Sequence, residues 1–472
     1  MHQNKDKKSL RDWQVSWRTL IMCLLLSHLA FASILYLAGS GRLQTLELLV
    51  YDHALHWQRL TASDERIVLI GETEADIQRW GYPLPDGILT DVLKRIIAGR
   101  PRVIGVDKYR DLPVPPGSEQ LNQILLNHPE IVWVMKFGHA TARESAIAPP
   151  PVLTNSERIG FSDIPLDEDG LVRRGLLFLD DGQQFATAFP LVVALRYLQA
   201  EGIQPQPDPD NPDWLRLGKT TIPPLTTDEG GYAHADTAGY QYLLDYRGQL
   251  SATRIHTLTE VLKGQIPATQ FTDKIVLLGG MATSLRDEFQ VPAYRFPADA
   301  PSSLTHVGDS SGRIAGFVLQ ALQVNQLLRF ALTGATPIQG WSDLVEIGWL
   351  WVWCLTGFGL ALCRLRLRWL LALITSGLTL LAGIWLLVWF QHIWLPLAGP
   401  ALGLTLAAIL SGVYRSAQDQ AEKRTLISLF SSHVAPEVVE ALWRERDRLV
   451  TSGRLIPQRL TATVLFADIQ GF

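Results

Sequence analysis

The chain has 472 residues, 47% of them hydrophobic, with a formal net charge of -4 and three cysteines. That length allows several domains. The near-neutral charge, with no long basic face, argues against a nucleic-acid partner. Cys23, Cys354 and Cys363 lie in or beside apolar blocks, so neither a disulfide scaffold nor a C-x-x-C metal site is expected.

Apolar residues collect in four blocks: Thr19 to Ala38, Leu344 to Leu362, Trp369 to Phe390 and Ile393 to Tyr414. Each approaches the ~20 residues that a membrane-crossing helix needs. The first is longer than a signal-peptide core and is read as an uncleaved anchor. Lys5, Lys7, Lys8, Arg11 and Arg18 precede block one; Arg364, Arg366 and Arg368 separate blocks two and three; Arg415, Lys423 and Arg424 follow block four. The Gln391-His392 hairpin carries no Lys or Arg. Basic residues favour the cytoplasmic side, which predicts four spans with both termini inside and residues 39–341 outside. Tryptophans such as Trp349, Trp389 and Trp394 fall toward the outer halves of their spans, as an aromatic belt would. The expected setting is a multi-pass protein of the cell membrane, with the lipid bilayer as a partner.

Between blocks one and two the pattern is that of an α/β domain. Ile67–Ile70 is a short buried-strand run, Asp86 to Ile97 has helical spacing, and Val103–Asp107 is a second strand. Such a series predicts a parallel βαβ unit. Further strands are expected at Ile131–Met135, Gly175–Leu179, Tyr242–Tyr246 and Lys274–Leu278, and helices at Ala188–Gln199 and Ile314–Phe330. Gln204 to Asp213, rich in Pro and Asp, is read as an exposed loop or insertion. Glu72 and Asp107 fall at the ends of adjacent predicted strands, where open α/β sheets bind ligands. They are candidate pocket residues; helix capping is the alternative. Asp167-Glu168-Asp169-Gly170 could offer carboxylates to calcium, but a turn with Gly170 at positive φ is the preferred reading. Gly279-Gly280 follows a strand without the pattern of a phosphate loop.

The ordered pieces of this region resemble the extracytoplasmic CHASE sensor family, second type. They are Leu46-Glu47…Tyr51-Asp52, then Ile67–Ile96 with Arg102–Arg110, then Gly160–Phe178, Leu243–Gly248, Lys274–Tyr294 and Gly316–Leu328. They span about 290 residues in family order. Glu72 stands where the family often has Asp, and Arg295 to Val307 reads as an enlarged loop. The resemblance implies a sensor domain for an extracytoplasmic ligand whose identity the sequence does not give.

Beyond Tyr414 the chain turns charged and helical, with Leu426, Leu429 and Phe430 on one face and Val438, Val439, Leu442 and Trp443 on a second helix after Pro436. A segment joining a span to the next domain is read as a dimer-forming transmission element over 415–458; surface helices packing on their own domain are the alternative. The stretch Thr461–Phe466 reads as a strand delivering Ala467-Asp468-Ile469-Gln470-Gly471-Phe472. This resembles the opening of the class III adenylate/guanylate cyclase domain, as do Leu429–Trp443 and Ser452–Phe466 before it. The resemblance implies the start of a ferredoxin-like α+β catalytic domain at 459–472, with the rest of it past Phe472. It implies that Asp468 and the Ile469 carbonyl hold two divalent cations, Mg or Mn, and that Gly471 and Phe472 lie at the phosphate approach. ATP or GTP would be the substrate, and a homodimer the working unit. A carboxylate fixed at a strand end suits a hard cation, and two bridging cations suit cyclisation of a nucleoside triphosphate.

The expected whole is a multidomain membrane protein: cytoplasmic 1–18, first span 19–38, sensor 39–341, three spans over 342–414, transmission helices and the cyclase start. The alternative is the sensor and anchor of a histidine or Ser/Thr kinase, since Phe430-Ser431-Ser432-His433 superficially resembles a phospho-acceptor box. Val434 stands where that box has an acid. A transport role finds little support, because Glu346 is the one charged residue within the expected spans.

Overall fold

The computed structural model describes residues 17–58, 60–61, 63–138, 146–154, 156–182, 184–250, 254–292, 312–363, 367–430, 450–451 and 454–455. Arg295 to Val307, the second transmission helix and the Asp468 motif lie outside these residues. The chain divides into two compact units. One comprises Met1–Ile34, Leu350–Thr379 and Pro400–Phe472; the other comprises Leu35–Trp349 and Leu380–Gly399.

The helices used below are α1 (Trp17–Gly39), α2 (Gln44–Leu55), α3 (Asp86–Ala98), α4 (Ser118–Asn127), α5 (Phe189–Gln199), α6 (Gly316–Thr333), α7 (Asp343–Leu362), α8 (Leu367–Trp389) and α9 (Ala398–Phe430). The principal strands are β1 (Ile67–Glu72), β2 (Val103–Asp107), β3 (Ile131–Met135), β4 (Ile159–Phe161), β5 (Ile255–Thr257) and β6 (Ile275–Gly280). They form one six-stranded sheet in the order β5-β1-β6-β2-β3-β4. Every pairing in it is parallel.

A parallel sheet covered on both faces needs continuous apolar strands, and β1 and β6 are buried at every position. Helix α3 turns Leu89, Val92, Leu93 and Ile96 inward and leaves Asp91 and Lys94 outside, the i, i+3, i+4, i+7 stripe of an amphipathic helix. Helix α6 differs, being buried from Gly316 to Ala331, polar residues included. It packs so close to β6 that a Cβ on Gly279 would lie 2.3 Å from Cβ of Phe317. Gly279 is therefore a packing glycine, which accounts for the missing phosphate-loop pattern.

The sequence places β2, β3 and the strand near Gly175 well, but three expectations need correction. Glu72 and Asp107 are not on adjacent strands: β6 lies between β1 and β2, pairing Val68 with Val276 and Val276 with Ile104. No local pattern can reveal a strand inserted from 170 residues away. Within the proposed loop Gln204 to Asp213, Pro205–Pro207 is an exposed edge strand paired with Leu215–Leu217, a position where proline's missing N–H is tolerated. The strand expected at Tyr242–Tyr246 is Tyr240–Leu243, and Tyr246 sits at φ +50°.

Among the described residues three helices are long and apolar enough to cross a membrane: Trp17–Gly39, Asp343–Leu362 and Arg368–Trp389. The fourth block begins later than expected. Ile393–Trp394 pairs with Gln339–Gly340, and α9 starts at Ala398 after Pro396. It then continues for 33 residues through Arg415 to Phe430. Within the first unit, Ser27 Oγ donates to the Cys354 carbonyl at 3.0 Å and Ser411 Oγ to the Cys23 carbonyl at 3.4 Å. Small residues with hydroxyls at such positions let apolar helices approach and hydrogen-bond. Arg415 donates to the carbonyls of Ala361 and Leu362, a cation on the C-terminal end of α7.

Candidate functional site

The carboxyl edge of the parallel sheet gathers charge. Glu72 ends β1 fully buried, and its Oε2 accepts from the Lys108 ammonium; its Oε1 has no partner among the described residues. Asp107 ends β2. Its pKa is pushed up to about 7, by burial first and by the Asp287 carboxylate second, against the lowering effect of Lys108. Asp287 comes from the turn that follows β6 and is raised too, by desolvation before anything else. The loop after β2 is clamped. Lys108 gives its carbonyl to Trp133 Nε1 at 2.6 Å, and Tyr109 Oη meets Ser162 Oγ at 2.9 Å. Arg110 lies 3.4 Å from Asp86, which also accepts from Ser118 Oγ at 2.6 Å.

Burial discourages both Asp107 and Asp287 from ionising, and Lys108 favours their charge. Such a set can hydrogen-bond a polar ligand. No group of three His, Cys, Asp or Glu side chains among the described residues is placed to hold a metal. Of the two sequence-derived pocket residues, Asp107 belongs to this edge cluster and Glu72 is sealed by Lys108. Lys108 was legible in Val103–Arg110, where it directly follows the strand; Asp287 had no local signal, because β6 brings it from far along the chain. Asp468, Ile469, Gly471 and Phe472 lie outside the described residues.

The family-like pieces of sequence form a buried polar framework. Arg173 donates to Asp52 at 2.7 and 2.8 Å, to Asp167 at 2.7 Å and to Asp169 at 2.6 and 3.0 Å. Arg174 and Tyr232 take the rest of Asp167. These arginines occupy the carboxylates offered above to calcium, and Gly170 makes the expected turn at φ +80°. Arg329 of α6 pairs with Asp245 at 2.6 and 2.9 Å. Burial opposes the charge on Asp245, but Arg329 and Arg247 hold its carboxyl below the usual range. Asn325 donates to Asp64 at 2.9 Å. Glu47 of α2 is buried and accepts from the backbone N–H groups of Leu397 and Gly399, both at 2.8 Å, at the start of α9. Its pKa is raised by burial in spite of those bonds.

Two cavities stand apart from the carboxyl edge. The larger, about 1010 Å³, lies beside edge strand β4 and includes Met135, Phe137, Leu195, Arg196 and Gln199. The smaller, about 510 Å³, is lined by Trp57, Gln58, Arg247, Trp389, Phe390 and His392.

No curated protein and no solved structure matches the chain. Residues 26–359, more than two-thirds of it, match the CHASE2 domain, an extracellular sensor domain of signalling proteins. The match encloses every family-like piece from Leu46 to Leu328 as well as the wholly parallel sheet. With its sensor region and the apolar helices at both ends of it, this membrane protein belongs to the CHASE2 domain family.

Proposed function

We propose that the intact protein is a sensor-regulated class III adenylate/guanylate cyclase of the cell membrane. Four spans carry it, both termini are cytoplasmic, and the CHASE2 domain faces outside. The observation that carries the reading is α9, one unbroken helix from Ala398 to Phe430. Its first turn is capped by the sensor's Glu47, and the chain after it leads to Phe466-Ala467-Asp468-Ile469-Gln470-Gly471-Phe472. Kinases have no use for that string.

A polar extracytoplasmic ligand at the Asp107, Asp287 and Lys108 edge shifts the packing that α2 shares with the start of α9. The helix passes the shift inward, bringing two catalytic domains of a homodimer into register on ATP or GTP. Asp468 and the Ile469 carbonyl serve there as ligands of two divalent cations, Mg or Mn, with Gly471 and Phe472 at the phosphates. Asp468→Ala in the intact protein is expected to abolish cyclic nucleotide formation in an enzyme assay while membrane insertion is unchanged. Retained activity would remove the site assignment.

A further inference from the structure

The smaller cavity holds polar groups that the described residues leave without partners. Gln58 follows α2 and is 8% exposed, yet among the described residues neither its Oε1 nor its Nε2 has a hydrogen-bond partner. Leaving both ends of a buried carboxamide unpaired forfeits their hydration without return, so such a group calls for an occupant. Across from it, His392 turns the chain at φ +64°. Its Nε2 lies 3.0 Å from Nη1 of Arg247. Arginine has donors only, so Nε2 accepts and the neutral ring carries its hydrogen on Nδ1. Among the described residues that buried Nδ1 has no partner either. Burial first, and Arg247 second, push His392 below its ordinary pKa, which keeps the ring neutral and Nδ1 a donor.

The cavity therefore offers two kinds of N–H donor and one carbonyl acceptor. Its electrostatic sign follows from the floor: Arg247 and Arg329 share the single carboxylate of Asp245, leaving one positive charge in excess. The walls are aromatic. Trp389 is buried, with its Nε1 donating to the Ala54 carbonyl at 3.1 Å, whereas Trp57 and Phe390 are 55% and 54% exposed. Trp389 and Phe390 stand at the end of α8, one of the helices apolar enough to cross a membrane. Aromatic rings at such a place mark the headgroup level of a bilayer. A volume of about 510 Å³ is in the range of small-molecule sites.

We propose that this cavity binds the phosphodiester headgroup of an anionic, hydroxyl-bearing glycerophospholipid. The phosphate faces Arg247, His392 Nδ1–H and Gln58 Nε2–H. A headgroup hydroxyl donates to Gln58 Oε1, and the acyl chains leave past Trp57 and Phe390. The site would make the sensor responsive to the lipid that surrounds its own anchor. It rests on the reading of α8 and the first part of α9 as spans, not on the cyclase reading, and its test needs no catalysis.

The experiment titrates the full-length protein in detergent with phosphatidylglycerol or phosphatidylcholine and reads bound lipid by native mass spectrometry. Wild type, Gln58→Leu and His392→Phe are compared, and the melting midpoint is recorded alongside. Phosphatidylglycerol is expected to bind at least tenfold more tightly than phosphatidylcholine. Both substitutions should remove that preference, while Gln58→Leu melts no lower than wild type. Equal binding of the two lipids, or full retention of phosphatidylglycerol by Gln58→Leu, overturns the site: Gln58 is then a buried amide with no ligand. A final arm adds inorganic phosphate or glycerol 1-phosphate. If either occupies the protein in the absence of lipid and excludes phosphatidylglycerol, the site takes a soluble anion and the lipid assignment falls.

Discussion

Asp107 shows what burial does to one carboxyl. A group whose folded-state pKa is raised keeps a proton that the unfolded chain has already lost. The cost to stability is absent below about pH 4, where both states are protonated, and complete above its value of about 7. Asp107→Asn should therefore flatten the pH dependence of the melting midpoint between these limits. Above pH 7 it should melt higher than wild type, by roughly 2–4 °C for each kcal/mol recovered. Parallel curves for the two proteins would mean that Asp107 ionises normally. Arg173 has the opposite character, because its three carboxylate partners include Asp167, itself buried. Arg173→Met leaves Asp167 to Arg174 and Tyr232 and takes the guanidinium from Asp52 and Asp169; breaking these pairs should cost about 3 kcal/mol, a fall in melting midpoint on the order of 10 °C. A shift under 3 °C would show that the cluster is solvated. At this scale the sequence was informative about identity and poor about role. Asp52, Asp167 and Arg173 all stand in the family-like pieces, but only the fold reveals that they meet each other instead of a ligand.

At the scale of elements, periodicity located most of the sheet because its strands are short apolar runs between turn residues. It placed β2 and β3 to the residue. It failed where context decides. Pro205–Pro207 has the composition of a loop and becomes a strand through an edge position, and β6 enters the sheet from a distance that no window spans. The junction between α2 and α9 was hidden for the same reason: Glu47 and Gly399 are remote in sequence, and nothing near Glu47 hints that it caps a helix. Glu47→Ala removes the acceptor for one buried and one part-buried N–H group and should destabilise the start of α9 by about 1–2 kcal/mol. Glu47→Gln, which keeps one carbonyl oxygen, should lose less. Hydrogen exchange at the Leu397 and Gly399 amides is the readout; unchanged protection in Glu47→Ala would show that the cap is dispensable.

For the whole molecule, topology is the expectation most open to direct test. With Cys23, Cys354 and Cys363 replaced by Ala, a single cysteine at Gln391 should react with a membrane-impermeant maleimide added to intact cells. One at Arg424 should react only after lysis. The reverse pattern would invert the orientation, and with it the assignment of sensor and output sides. The placement of β6 has a consequence for how the protein is made. Strands β1 and β2 leave the ribosome with no partner between them, since the residues that fill that place, Ile275 to Gly280, come almost 170 positions after Asp107. At ordinary synthesis rates of about 5–20 residues per second this is an interval of roughly 10–30 s. Through that interval both strands expose unpaired apolar edges, the surfaces most prone to wrong pairing. The first apolar helix is synthesised long before, so the sensor must wait, already tethered, for its own central strand.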